Sequence, residues 1–233
     1  MSKAIVLGAR RGSGNIGEAI AEHLNDIGWS AFGKSCELDG GYVAPAIVEF
    51  EHYDADACII SLGAVYKDHF LDVDENVFMN VFRANVEFPL RCALRYAKSC
   101  VPAYESSPRR IVFIGSYAHR HPFSNGTAYC AAKAGLDMAA RTLGWELTDI
   151  GFRVHIIHPY HVEGTPMWER VQADVMEAND WTRTQADDYA RKDLKMPDPL
   201  SPLDIARTVA WLLNDPAAQW TSGTSIELYG GTR

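Results

Sequence analysis

The chain is predicted to be an α/β protein built on a doubly wound parallel sheet, as a single domain spanning residues 1–233. Three observations predict this. Short apolar runs alternate with amphipathic helical patterns along the 233 residues, as expected of a parallel sheet covered by helices on both faces. The first apolar run enters a glycine-rich turn that opens a helix, the order of a parallel crossover unit. Finally, only 28 residues run from Trp29 to Asp56, whereas two average strands and two average helices need roughly 35 before any turns. The second crossover region is therefore expected to be shortened by one helix.

The elements follow in order. Residues 4–7 form the first strand, and the next segment sets Ile16, Ala19, Ile20, Leu24 and Ile27 on one stripe before Gly28 stops the helix. Residues 30–33 and 36–39 read as short strands and 43–53 as the one retained helix. Residues 57–61 form a buried strand entering Leu62-Gly63-Ala64. Helices follow at 74–82 and 86–100, with Asn85 between them and Pro89 in a first turn, where proline is tolerated. Residues 111–114 form a strand delivering Ser116. A long helix covers 127–150, a strand covers 153–157, and 164–200 is less regular and reads as a substrate lid holding Trp168 and Trp181. A helix at 202–213 and a strand at 225–228 complete the chain before Gly230-Gly231.

Bulk properties narrow the partners. A formal charge of −8 and a pI near 5.4 offer no basic patch, which argues against nucleic acid and anionic membranes and for small molecules. The five cysteines, Cys36, Cys58, Cys92, Cys100 and Cys130, form no CxxC pair and read as reduced thiols. No run is long enough to span a membrane, and the N-terminus enters a strand at once, so no signal peptide is expected and the location is expected to be cytoplasmic.

The glycine-rich turn, Gly8-Ala9-Arg10-Arg11-Gly12-Ser13-Gly14-Asn15-Ile16-Gly17, brings bare backbone and helix N–H groups to a place suited to a pyrophosphate. That makes the fold Rossmann-like. Tyr129 and Lys133 stand four residues apart on one helical face, with Ser116 13 positions upstream of Tyr129 at a strand end. A free phenol titrates near pH ~10, and a neighbouring ammonium is expected to lower that toward the working range of an acid–base catalyst.

These residues together resemble the short-chain dehydrogenase/reductase family over nearly the whole chain. Tyr129 and Lys133 match its Tyr-x-x-x-Lys, Ser116 its catalytic serine and Asn85 its helix asparagine. Its Gly-x-x-x-Gly-x-Gly falls on Gly8, Gly12 and Gly14, while the following helix matches better after Gly17, so the loop reads as three residues longer. Where the family has Asn-Asn-Ala-Gly this chain has Ile60-Ser61-Leu62-Gly63, and the family's Pro-Gly is Pro159-Tyr160.

The resemblance implies an NAD(P)-dependent oxidoreductase that moves hydride between nicotinamide and a ketone or secondary alcohol. Tyr129 would act as general acid/base, Ser116 would steady the substrate oxygen, Lys133 would hold the ribose and Asn85 a relay water. Cofactor contacts are implied for Gly8, Arg10, Arg11, Gly12, Gly14, Ile16, Gly17, Lys34, Gly63, Lys133, Pro159 and Thr165. Arg10, Arg11 and Lys34 favour NADP through a 2′-phosphate, while Glu37 and Asp39 compete for the ribose of NAD. The alternative reading is a non-catalytic or redox-sensing NAD(P)-binding relative, suggested by the shortened adenosine side. The eight histidines match no metal-site spacing, so no metal is expected; His119, His121, Tyr160 and His161 read as pocket walls. The resemblance also implies dimer faces on the helices at 86–100 and 129–150, and so a homodimer or homotetramer.

Overall fold

A computed structural model describes residues 1–34, 38–39, 42–43, 55–100, 108–196 and 198–231. Its strands are β1 (Lys3–Leu7), β2 (Ser30–Lys34), β3 (Leu38–Asp39), β4 (Tyr42–Val43), β5 (Ala57–Ile60), β6 (Arg109–Ile114), β7 (Phe152–Pro159) and β8 (Ser225–Leu228). Six of them form one parallel sheet in the order β2-β1-β5-β6-β7-β8. The strand order reverses at β1, so a crevice opens beyond the carboxyl ends of β1 and β5, where such sheets bind ligands.

Alternation along β1 shows how the layers form. Ile5 and Leu7 join Cys58, Ile60, Ile111 and Phe113 in a core beneath α3 (Phe88–Cys100) and α4 (Thr127–Leu147). Ala4 and Val6 point the other way, into a core closed by Ile20 and Leu24 of α1 (Ile16–Asp26) and by Ile205, Val209 and Leu212 of α7 (Pro202–Asn214). A period of two therefore feeds both faces of one sheet.

The helix ends follow from local chemistry. Asn15 caps α1 by accepting the Glu18 N–H at 2.8 Å, and Asp74 caps α2 (Glu75–Phe82) through the N–H groups of Asn76 and Val77. Ser201 caps α7 with Pro202 in its first turn. The stretch 164–200 is more regular than its sequence pattern suggests. It holds α5 (Pro166–Asn179), capped by Thr165, and α6 (Arg183–Arg191), which begins with a capping box between Thr182 and Gln185. Arg183 ties α6 to Glu169 of α5 at 2.6 Å.

Several boundaries differ from those read off the sequence. The helix expected at 86–100 joins α2 without a break, through a π-helical turn at Arg83–Glu87 that carries Asn85. The long helix ends at Leu147 rather than 150, because Gly151 at φ 82° turns the chain into β7. Leu38–Asp39 pairs antiparallel with Tyr42–Val43 as a separate two-stranded ribbon, so Val43 belongs to a strand and not to the start of a helix. The remainder of that expected helix lies outside the described residues, as do Cys36 and Glu37. Cys58, Cys92 and Cys100 are buried and Cys130 is half-buried. Among the described residues no helix is long and apolar enough to cross a membrane.

Candidate active site

Gly8 leaves β1 at φ 88°, and a side chain there would run into the carbonyl of Ser61 at the end of β5. Gly17 lies against the carbonyl of Gly8, where a Cβ would come within 2.8 Å of it. These two close approaches define the strand-to-helix turn, and they place the helix-packing glycine at Gly17, at the end of a lengthened loop. Gly12 and Gly14 also have positive φ, and Arg10 and Arg11 are exposed on the loop. Lys34 stands at the end of β2, and its carbonyl accepts the Gly8 N–H at 2.8 Å. Ile16 opens α1.

One occupant of this loop was not anticipated. The Glu18 carboxylate accepts the N–H of Ser13 at 2.8 Å and of Gly14 at 2.7 Å, and that of Gly12 as well. Backbone bonds to Gly14 and then Gly12 hold its carboxyl below the ordinary glutamate range. Successive N–H groups of this kind form an anion-binding concavity, and here an internal carboxylate fills it. The signal was present in the sequence as an acid in the first helical turn.

The chemistry gathers at the ends of β5, β6 and β7. Ser116 follows β6, and its hydroxyl accepts the Ala118 N–H at 3.2 Å and stands close enough to the Tyr129 phenol to act on its proton affinity. Tyr129 and Lys133 share the buried face of α4, with Lys133 Nζ 5.6 Å from the centre of the phenol ring. The ammonium approaches the Ile114 carbonyl at 3.5 Å. Asn85 is fully buried; its Nδ2 donates to Ala64 at 2.7 Å and Val81 at 2.9 Å, and its Oδ1 has no protein partner among the described residues. Gly63 lies between Asn85 and Lys133, since a Cβ there would come within 2.6 Å of Asn85 Oδ1 and 3.1 Å of Lys133 Nζ. Five sequence-predicted residues therefore meet: Gly63, Asn85, Ser116, Tyr129 and Lys133.

Burial sets the proton affinities. Desolvation pushes Tyr129 up to about 12, against the lowering effect of the Ser116 hydroxyl, and brings Lys133 down to about 8. The expectation that the ammonium would lower the phenol pKa is thus corrected for the protein alone: removal from water is the larger effect. Lys133 is left as a buried amine that gives up its proton unusually easily.

Pro159 ends β7, and Thr165 spends its hydroxyl on the Val162 carbonyl and the Trp168 N–H, which anchors the start of α5. Gly164 approaches Gly14, so this segment borders the glycine loop. Tyr160 stacks on His161 at 4.2 Å and meets Tyr117 edge-on at 4.6 Å, and His121 stacks on Tyr117 at 4.0 Å. Trp168 is buried against His161, and Trp181 packs on Tyr189. His119 is not a pocket wall. It and His158 are both buried and stacked at 3.6 Å, and His158 is hydrogen-bonded to Asp137, a residue the sequence pattern did not single out although it lies one turn beyond Lys133 on the same face.

His119, Asp137 and His158 are close enough together to invite a metal reading. The two rings, however, lie within 16° of parallel. Their in-plane lone pairs run side by side and do not converge on one ion, so the cluster is described by its hydrogen bonds.

The nicotinamide half of a dinucleotide fits these residues. Among the described residues, a buried ammonium with a single long contact, a buried acceptor without a protein partner and a bare glycine stand together at the mouth of the crevice. At the loop, the donors suited to a phosphate are those that Glu18 holds. The fold and this cluster define an α/β protein with titratable side chains gathered beside the crevice where such sheets bind ligands.

Comparison with known proteins agrees. A family model described as "Enoyl-(Acyl carrier protein) reductase" matches residues 44–233. The 3-oxoacyl-[acyl-carrier-protein] reductase MabA of Mycobacterium avium is 31% identical over 153 residues, covering 63% of this chain and 58% of that protein. MabA of Mycobacterium tuberculosis is 26% identical over 97% of this chain and 91% of its own. An actinorhodin polyketide ketoreductase crystallised with NADPH superposes with a TM-score of 0.84 at 21% identity, over 99% of this chain and 96% of its own, which shows the fold. The chain belongs to the short-chain dehydrogenase/reductase family.

Proposed function

We propose that the protein reduces a ketone, or oxidises the corresponding secondary alcohol, with NADP as cofactor and Tyr129 as general acid/base. The observation that carries this reading is the contact of Tyr129 with Ser116 and Lys133 at the carboxyl edge of the sheet. A bound nicotinamide supplies or accepts the hydride. Tyr129 gives its proton to the substrate oxygen as the carbonyl is reduced, or takes one from the alcohol in reverse. Ser116 Oγ steadies that same oxygen. Lys133, poised near 8 by burial, returns a proton to the phenolate and holds the ribose hydroxyls. The unpartnered Asn85 Oδ1 beside Lys133 supports its implied part in proton resupply.

Exposed Arg10 and Arg11, with Lys34 at the end of β2, support the 2′-phosphate of NADP over NAD. The MabA relatives are named as 3-oxoacyl reductases and the ketoreductase neighbour is named with NADPH, which supports carbonyl reduction. Leu94 on α3 and Met138 and Trp145 on α4 are exposed apolar side chains, consistent with a homodimer or homotetramer closed across those helices. NADPH oxidation followed with a panel of ketones tests the function. Turnover with at least one ketone, faster with NADPH than NADH, is expected; NADPH binding with no turnover on any member favours the non-catalytic reading.

A further inference from the structure

The catalytic serine has its backbone gripped from both sides. Ser116 N–H donates to His158 Nδ1 at 3.1 Å, and the Ser116 carbonyl lies 2.9 Å from His119 Nδ1 and 3.0 Å from His158 Nδ1. The two imidazoles stack at 3.6 Å. Behind them, His158 Nε2 meets Asp137 Oδ1 at 3.0 Å, and Asp137 also accepts the Ser225 hydroxyl of β8. Gly115 makes the grip possible, because any side chain there would run into the His158 ring.

The Asp137 contact selects the His158 tautomer. Asp137 accepts only, so Nε2 of His158 carries the hydrogen and Nδ1 is left as the acceptor for Ser116 N–H. The Ser116 carbonyl, 3.0 Å from that same nitrogen, is within donating reach of His119 Nδ1. Asp137 stands two turns along α4 from Tyr129, on the face that also carries Lys133. One helix thus sets the acid/base and, through His158, the group that steadies the reacting oxygen.

We propose that Asp137 and His158 are positioning residues for the reaction: Asp137 fixes the His158 tautomer, and His158 holds Ser116 so that its hydroxyl meets Tyr129 and the substrate oxygen together. This rests on the carbonyl/alcohol reading of the same site. Protonation of His158 would place a hydrogen on Nδ1 and remove the acceptor for Ser116. The charged and titratable groups around it are Asp137 and Arg141 of α4, His119 and Arg120 after β6, and Glu227 and Tyr229 at β8. Burial keeps His158 neutral down to about 4, so the grip holds through neutral pH.

Three variants and one spectrum test it. Asn in place of His158 can offer its carbonyl near the Nδ1 position, whereas Gln reaches the Nε2 position and leaves Ser116 N–H unmatched. His158→Asn is expected to keep kcat within several-fold of the parent. His158→Gln and Asp137→Asn should each lose about 10- to 100-fold in kcat with KM nearly unchanged, as a small misplacement of a reacting group does. Asp137→Asn should also move the acid limb of the pH profile. In the unmodified protein, 15N spectra should show the Nε2–H tautomer of His158 and a coupling across the hydrogen bond to the Ser116 amide. This last readout needs no substrate, so it separates failure of the grip from failure of the proposed reaction. Losses that follow the melting temperature alike in all three variants, or an Nδ1–H tautomer, would overturn the proposal.

Discussion

Lys133 Nζ sits 5.6 Å from the ring centre of Tyr129, both buried on one face of α4, and burial moves their proton affinities apart, the phenol up and the ammonium down. A lysine so placed costs stability. Its folded pKa is near 8 against an ordinary 10.5, so between those values the unfolded chain binds more protons than the folded one. Stability attributable to this group therefore rises with pH across that window, and the cost is full below pH 8. Lys133→Met, which keeps the packed stem, is expected to stabilise the protein by roughly 1–3 kcal/mol at pH 7 while removing turnover. Thermal unfolding at pH 7 and pH 10 measures it. The gain should shrink at the higher pH, and a variant less stable than the parent at pH 7 refutes the assignment.

The buried histidines predict acid sensitivity. His155 and His158 are almost wholly buried and lowered to about 4, chiefly by desolvation. Their folded pKa values lie below the unfolded value of 6.5, so the unfolded chain gains protons first and stability falls as pH drops from 6.5 to 4. Each contributes up to about 2–3 kcal/mol of that loss. Urea unfolding at pH 7 and pH 4.5 should show it, and equal midpoints would contradict it.

Glu18 occupies the loop amides that suit a cofactor phosphate. Glu18→Ala is expected to tighten NADPH binding by about 10-fold by freeing three N–H donors. A fluorescence titration measures it. Unchanged or weaker binding would mean that the carboxylate organises the loop instead of competing for it.

Trp145 is 87% exposed on the outer face of α4. If that face closes a dimer, Trp145→Glu should shift the mass measured by light scattering toward the monomer and leave the far-UV spectrum intact. A parent protein that is already monomeric at micromolar concentration would end this proposal.

Much of this was legible in the sequence, for physical reasons. Strand alternation and the fixed spacings of Tyr129, Lys133 and Ser116 are local signals, and they located the sheet and most of the site. What was missed depends on tertiary contacts. The π-helical turn is held by Asn85 reaching back to Ala64, 21 residues away. Strands of two residues, as at Leu38–Asp39, are too short to show a period. The stretch 164–200 hid two helices because α6 exposes most of its surface, and only its capping residues mark it. Asp137 looked like one acid on a helix until β7 brought His158 against it.

The central claim is that the Tyr129 hydroxyl transfers the proton. The most direct measurement compares the parent with Tyr129→Phe for NADPH oxidation and NADPH affinity on one ketone that the parent turns over. Turnover should fall by roughly 10²- to 10⁴-fold with affinity preserved. Turnover that persists in the phenylalanine variant would contradict the account.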